Sequence, residues 1–436
     1  MDKLAVVGLG YVGLPLAVLC AERGYKVCGI DIKDELVAQI NKRELPYTDD
    51  KRLGNAMASL SDDALKASTS YNDVSTSQVV VICVPTPTRN GVPDTHYVVQ
   101  ATEQIASQLK PGQLVVVEST VSPGMTRNIV LPILEDGSGL KVGKDFYLAH
   151  CPERIDPGNK EFFVGNLNRV VGGITKDCTK QAVEFYSSII DAKVMPMSSP
   201  EEAEFVKSWE NSHRNVMIAL ANNAAIICDA LNMDIVQILK GLQSKVDQFG
   251  LSLAWPGIGP GGHCIPEDIH YVIERARQNG VDTRLLDNAA DLNDSMPQYA
   301  VRRLAEMVSE RGEDLRALRV ALLGLAYKPN VADVRRSPSI EVLRSLLDTA
   351  HSVVVHDPYV TNRESGLSIL KQAVTLDDAL RNADVVFVGT AHALYEEKLD
   401  VKLLTKHGIR FVFDGRNMLD KTAIVAAGIG YRGIGR

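Results

Sequence analysis

The sequence predicts an α/β protein in which two doubly wound parallel sheets are joined by a central helical region. Three observations carry this expectation. Short apolar runs alternate with helical patterns from Lys3 to Cys151, give way to long helical stretches between Glu201 and Asp294, and resume at Leu318. The second half also echoes the first: Ala5-Val-Val-Gly-Leu-Gly is matched by Ala321-Leu-Leu-Gly-Leu-Ala, and Val27…Asp31 by Val353…Asp357. Strands alternating with helices build parallel sheets, because each parallel pairing needs a helical crossover.

Taken in order, Lys3 to Val7 reads as a buried strand, Leu14 to Arg23 as a helix ending at Gly24, and Lys26 to Asp31 as a second strand. Further strands are expected at Val79–Val84, Gln113–Glu118 and Phe146–Cys151. Right-handed crossovers then bring the strand ends, and any ligand, to one edge. Glu201 to Leu231 is long for a globular helix and reads as a spine. Small residues in its Ala-Asn-Asn-Ala-Ala stretch (221–225) would let it pack against a copy of itself, so a homodimer through this helix is expected. Arg319–Ala326 and Ser352–His356 follow as strands around a helix Pro338–Ala350, with more strands at Asp384–Thr390 and Arg410–Asp414. The echo lacks the second and third glycines, which predicts a second Rossmann-like fold that does not hold a dinucleotide in the same way. The domains expected are 1–198, 199–296 and 297–436.

Bulk properties narrow the function. A chain of 436 residues is too long for one core. Its apolar content of 45% and charged content of 23% are ordinary globular values, and a net charge of -7 disfavours nucleic acid or an anionic membrane surface as main partner. Seven cysteines without paired spacing fit a reducing cytoplasm rather than a disulfide framework, and no ligand spacing suggests a metal. Leu4 to Ala21 is uncharged and 18 residues long, but three glycines and Pro15 interrupt it in the order strand, turn, helix. It is therefore not expected to span a membrane.

Gly8-Leu-Gly10-Tyr11-Val12-Gly13 follows a strand and opens a helix, and a strand ends in Asp31 18 residues after Gly13. This is the context in which the spacing reads as a dinucleotide fingerprint, with backbone approaching a pyrophosphate at a helix N-terminus. The Asp31 carboxylate would bind a ribose diol and repel a 2′-phosphate, favouring NAD, although Lys33 would soften that discrimination. Pro85 and Thr86 follow one strand, and Ser119 and Thr120 another. Such strand-end groups line a cofactor or simply form turns. After the strand ending at Cys151, Glu153 would orient water or shuttle a proton; Arg154 would meet a phosphate or form a surface ion pair. Lys207, Asn211 and Asn215 recur every four residues with Arg214 beside them, which is either a solvated stripe or an anion-stabilising face.

Gly257-Ile-Gly-Pro-Gly261-Gly-His263-Cys264 leaves room for a substrate to approach the backbone. If a helix begins at Cys264, Asp268 shares its face and the positive end of the helix dipole favours the thiolate, which makes Cys264 a candidate nucleophile. Tyr327 and Lys328 to Arg335 follow a strand and suit a phosphate or ribose contact, as a salt-bridged loop also would.

Together, Gly8 to Pro15, Val84-Pro-Thr-Pro, Lys207-x-x-x-Asn211, Gly261-Gly-His-Cys264-Ile-Pro-x-Asp268 and Gly324-Leu-Ala-Tyr-Lys-Pro-Asn330 resemble the UDP-glucose/GDP-mannose dehydrogenase family over the whole chain. The resemblance implies an NAD domain, a helical dimer domain and a UDP-sugar domain. It also implies oxidation of a nucleotide-sugar C6 hydroxyl to a carboxylate with two NAD, through a thioester. By position, Cys264 looks like the nucleophile, Lys207 and Asn211 the oxyanion pair, and Asp268 an acid orienting water or the lysine. Glu153 and Thr120 look like groups near the reacting carbon, and Lys328 like the lysine of the C-terminal motif. Members acting on UDP-glucose tend to carry a second glutamate where Pro157 stands here. Pro152-Glu-Arg with Gly-Gly-His-Cys is similar to the branch acting on UDP-N-acetylhexosamines, UDP-N-acetyl-D-mannosamine above all, with Arg154 and His263 as candidate acetamido contacts. The alternatives are UDP-glucose or UDP-N-acetylglucosamine as substrate, a two-electron hydroxyacid or sugar-phosphate dehydrogenase, and a silent nucleotide-binding regulator.

Overall fold

Period-two alternation of apolar side chains dictates the first sheet. Leu4, Val6, Val81, Leu114 and Val116 face one layer of helices, while Ala5, Val7, Val80, Ile82, Val115 and Val117 face the other. Both faces are therefore buried, as a doubly wound sheet requires. The computed structural model describes residues 2–46, 51–89, 92–155, 161–250, 253–262, 264–361 and 372–436. It divides into two compact units, residues 1–210 with 270–281 and residues 211–269 with 282–436.

In the first unit β1 (Lys3–Val7), β2 (Lys26–Ile30), β3 (Leu65–Ser68), β4 (Val79–Ile82), β5 (Leu114–Val117), β6 (Tyr147–His150), β7 (Arg169–Gly173) and β8 (Val194–Pro196) form one sheet. The spatial order is β8-β7-β6-β5-β4-β1-β2-β3. All neighbours are parallel except β6 and β7. The order reverses between β1 and β4, so their C-terminal ends open a crevice. Helix α1 (Gly13–Glu22) leaves β1 through the glycine turn and buries Leu14, Leu16 and Val18. The apolar run from Leu4 to Ala21 is thus strand, turn and helix. Among the described residues no helix is long and apolar enough to cross a membrane.

In the second unit β9 (Arg319–Leu323), β10 (Ser352–His356), β11 (Val385–Val388), β12 (Phe411–Asp414) and β13 (Gly430–Gly433) form an all-parallel sheet in the order β10-β9-β11-β12-β13. Its switch point lies between β9 and β11, and it is filled from within. Asp357, the counterpart of Asp31, gives Oδ2 to the Leu325 and Ala326 amides at 2.7 and 3.0 Å and to His392 Nε2 at 3.1 Å. His392 Nδ1 accepts the Asn330 amide at 2.9 Å, so this imidazole is neutral and donates through Nε2. Thr390 is packed so closely that a Cβ on Gly324 would lie 2.5 Å from its own. These side chains occupy the space where the first sheet leaves a crevice.

Two long helices run from one unit into the other: α2 (Pro200–Ala230) and α3 (Cys264–Gln278). Several strands are shorter than expected, for example Val385–Val388 against Asp384–Thr390, although the Asp384 and Gly389 amides still reach the Arg319 and Leu323 carbonyls of β9. One expectation needs correction. The small-residue stretch at 221–225 does not present its small residues outward. Ala221, Asn222 and Ala225 are buried within the second unit, and Ala225 belongs to its core. The large apolar side chains that α2 exposes are instead Phe205, Trp209, Leu220 and Ile227.

Candidate active site

The glycine turn of the first unit has the shape the fingerprint demands. Gly8 takes φ +89°, and a Cβ there would lie 2.7 Å from the Cys83 carbonyl oxygen, so no other residue fits. A Cβ on Gly10 would meet nothing within 4 Å, which leaves open space over the turn for a pyrophosphate. Asp31 accepts the Leu9 amide through Oδ2 at 2.9 Å and the Lys33 amide through Oδ1 at 3.1 Å. It stays partly exposed, with lone pairs free for a diol. Tyr11 is half-exposed; Val12 is half-buried beside the turn; Lys33 is exposed. At the end of β4, Pro85 is exposed and the Thr86 carbonyl receives the Tyr271 hydroxyl at 2.6 Å. Ser119 after β5 donates to the Val84 carbonyl at 2.7 Å, tying the two strand ends, and Thr120 beside it is partly exposed. The residues present fit an NAD cradle at the switch point. We expect Asp31→Ser to raise the NADP-to-NAD ratio of kcat/KM by about tenfold, the worth of ~1.4 kcal/mol; an unchanged ratio in steady-state assays would remove Asp31 from cofactor choice.

Beneath these strand ends lies a buried charge cluster that sequence reasoning missed. Arg169 on β7 is 0% exposed and pairs with Glu118 at 3.3 Å and, at closer range, with Glu153. Glu118 also receives the Tyr186 hydroxyl at 3.1 Å and the Cys83 thiol at 3.3 Å. Burial pushes the Glu118 carboxyl up to about 7 despite the guanidinium. Burial opposes the Arg169 charge as well, but Glu153 and Glu118 outweigh it and hold the guanidinium above its ordinary value. Glu153 has both oxygens engaged: Oε1 accepts the Arg154 and Ile155 amides at 2.6 and 2.8 Å, and Oε2 meets Arg169. Its observed partners hold the 152–155 turn. Arg154 is committed to Glu210 and to the Asn168 carbonyl at 3.1 Å. Glu204, on α2, grips the loop after Thr120 by accepting the Gly124 and Thr126 amides at 2.5 and 2.8 Å. One turn later Lys207 is 8% exposed, and its ammonium makes no hydrogen bond or ion pair among the described residues of its unit. A sequestered cation of this kind is placed to meet an anionic oxygen.

In the second unit α3 begins at Cys264, so the thiol, partly exposed, sits in the first turn, at the positive end of the helix dipole. Asp268, one turn on and 5% exposed, accepts Asn211 Nδ2 at 2.5 Å. Asn215 is buried and donates to the Ile265 carbonyl at 3.1 Å, whereas Arg214 is exposed. The glycine segment packs tightly on Tyr327: a Cβ on Gly261 would lie 2.6 Å from the Tyr327 Cβ, and Gly262 has φ +77°. A Cβ on Gly257 would come within 3.2 Å of Arg416, another residue sequence reasoning missed. Arg416 follows β12, donates to the Gly389 carbonyl at 2.7 Å, and has its pKa lowered by burial to about 10. The signal for it was Asp414-Gly-Arg416 directly after a strand of the second sheet. Lys328 is partly buried, and Arg335 pairs with Asp333 at 2.6 Å on the surface. His263 and Pro157 lie outside the described residues.

Three family models account for most of the chain. The NAD binding domain of the UDP-glucose/GDP-mannose dehydrogenase family matches residues 2–190, the central domain 201–295 and the UDP binding domain 321–421. The chain belongs to this family. It is an NAD-dependent nucleotide-sugar dehydrogenase, and its UDP binding domain takes a UDP-sugar as substrate. This nucleotide-sugar dehydrogenase is 31% identical to the UDP-N-acetyl-D-mannosamine dehydrogenase of Pyrococcus horikoshii, over 100% of this chain and 99% of that one. The solved structure of the P. horikoshii UDP-D-ManNAc dehydrogenase superposes with TM-score 0.90 at 30% identity, covering 100% and 99% of the two chains. The NDP-N-acetyl-D-galactosaminuronic acid dehydrogenase of Methanosarcina mazei Go1 gives TM-score 0.87 at 31% identity, covering 100% and 95%.

Proposed function

We propose that this enzyme oxidises the C6 hydroxyl of UDP-N-acetyl-D-mannosamine to the uronic acid, with Cys264 holding the carbon between two oxidations. The observation that carries this reading is the Asn211–Asp268 hydrogen bond. It ties the helix bearing Lys207 and Asn211, four residues apart, to the helix bearing Cys264 and Asp268, also four apart. NAD supplies the hydride acceptor at each oxidation. Lys207 and Asn211 stabilise the C6 oxygen as its proton leaves. The Cys264 thiolate adds to the aldehyde, forming a carbon–sulfur bond, and the same lysine and amide hold the resulting alkoxide. Loss of the second hydride leaves a thioester. Water beside Asp268 attacks it, the carbon–sulfur bond breaks, and the thiolate is restored. Each acid formed consumes one water and yields two NADH and three protons.

The acetamido preference rests on Pro152-Glu-Arg154 and on the N-acetylhexosamine names of the relatives. A homodimer through α2 is supported by its exposed Leu220 and Ile227, by Leu231 just after it, and by the stacked Phe205 and Trp209 rings, 5.4 Å apart. Seven cysteines, none of them in a disulfide among the described residues, favour the reducing cytoplasm. Incubation with a panel of UDP-sugars, counting NADH per acid, tests the reading. Two NADH per acid, fastest with UDP-N-acetyl-D-mannosamine, is expected; one NADH per product would point to a two-electron dehydrogenase.

A further inference from the structure

Three buried carboxamides of the second unit have no part in the chemistry above. Asn215 is 2% exposed, Asn222 0% and Asn293, on helix α4 (Arg284–Glu310), 2%. Asn222 Oδ1 accepts the Gly257 amide at 2.9 Å, and its Nδ2 donates to Asn293 Oδ1 at 3.0 Å. Asn293 Nδ2 donates to the Asn215 carbonyl at 2.9 Å and to its side-chain Oδ1 at 3.0 Å. Asn215 Nδ2 ends the series on the Ile265 carbonyl at 3.1 Å. A side-chain amide can be turned either way, but here the two ends decide. The Gly257 N–H only donates and the Ile265 carbonyl only accepts, so all three amides must point in one sense.

Those ends are also the ends of the segment that delivers the thiol. Gly257 opens it, and Ile265 follows Cys264 directly. Four of the six residues from Gly257 to Gly262 are glycine, so the segment has little conformational preference of its own. Its shape must be imposed from outside. Asn293 does so at a third point, since a Cβ on Gly259 would lie 2.8 Å from the Asn293 carbonyl oxygen. A buried polar network with every member satisfied is rigid, whereas one gap leaves costly unpaired groups.

We propose that Asn222, Asn293 and Asn215 form a directed carboxamide tether that positions the Cys264 thiol for attack on the aldehyde by fixing both ends of the glycine-rich segment. The proposal rests on Cys264 being the nucleophile. Asn215 is then a positioning residue, with both ends of its side chain engaged inside the protein.

The test uses the full-length enzyme with Asn293→Ala and Asn222→Ala, UDP-N-acetyl-D-mannosamine and NAD, trapping free aldehyde with a hydrazine. A thiol displaced by ~1 Å costs roughly a hundredfold in rate. Acid formation should fall by that order, trapped aldehyde should accumulate, and NADH per acid should rise above two, while KM for the nucleotide sugar changes little. The ratio does not depend on how much of a variant folds. If NADH and acid fall together with the ratio held at two, or acid formation is unchanged, the tether is only scaffold and the proposal is overturned. Cys264→Ser run alongside separates the two assignments: full oxidation by that variant would refute the nucleophile itself, and the proposal with it.

Discussion

Cys264→Ser is expected to abolish steady acid formation, by roughly three orders of magnitude or more, the scale on which loss of a covalent nucleophile is read. The cause is the protonation state of the attacking atom. A thiol in the first turn of α3 lies at the positive end of the helix dipole, which favours its anion, whereas a serine hydroxyl there stays protonated at neutral pH. The first oxidation needs no covalent bond, so binding of NAD and nucleotide sugar should persist, and the first hydride should still be removed. Single-turnover NADH absorbance with product analysis by mass spectrometry checks this. One NADH with aldehyde and no acid is the expected signature, and full two-NADH turnover would exclude the thioester.

Arg169→Met is expected to cost about 3–5 kcal/mol of stability, measured by urea unfolding at pH 8. It strands Glu118 and Glu153, which are 1% and 5% exposed. The pH dependence follows from Glu118, whose carboxyl is raised by burial from its ordinary value to about 7. The folded state therefore binds that proton more tightly than the unfolded chain. The stability this contributes is complete below the ordinary carboxyl pKa and is lost as pH rises through 7. Removing the guanidinium takes away the main group opposing the shift. The deficit of the variant should thus be smaller at pH 6 than at pH 8. A deficit independent of pH, or none, would contradict the ion-pair account. Activity is expected to suffer as well, because Arg169 holds Glu153 and with it the 152–155 turn.

What could be read beforehand was what depends on near neighbours in the chain. The turn from Gly8 to Gly13 follows from spacing, because sterics at Gly8 leave glycine as the only residue that fits. The start of α3 at Cys264 was legible from glycines followed by a helical pattern. Lys207 and Asn211 share a helix face through simple periodicity. Where the local signal was compositional it misled. The stretch at 221–225 looked made for packing against a copy, yet Asn222 lies buried against Asn293, 71 residues away.

The same division holds for the molecule as a whole. The sequence by itself determined the two doubly wound sheets, parallel but for the β6–β7 pair, the NAD crevice, the helical spine and the residue types of the reaction, since these rest on periodicity and on motifs a few residues long. Only the tertiary structure decided which polar groups are satisfied and by whom. It put Arg169 between Glu118 and Glu153, closed the second switch point with Asp357 and His392, and threaded three amides from Gly257 to Ile265. The physical reason is that a buried polar atom must find its partner wherever the fold brings one, and the partners here lie tens of residues apart.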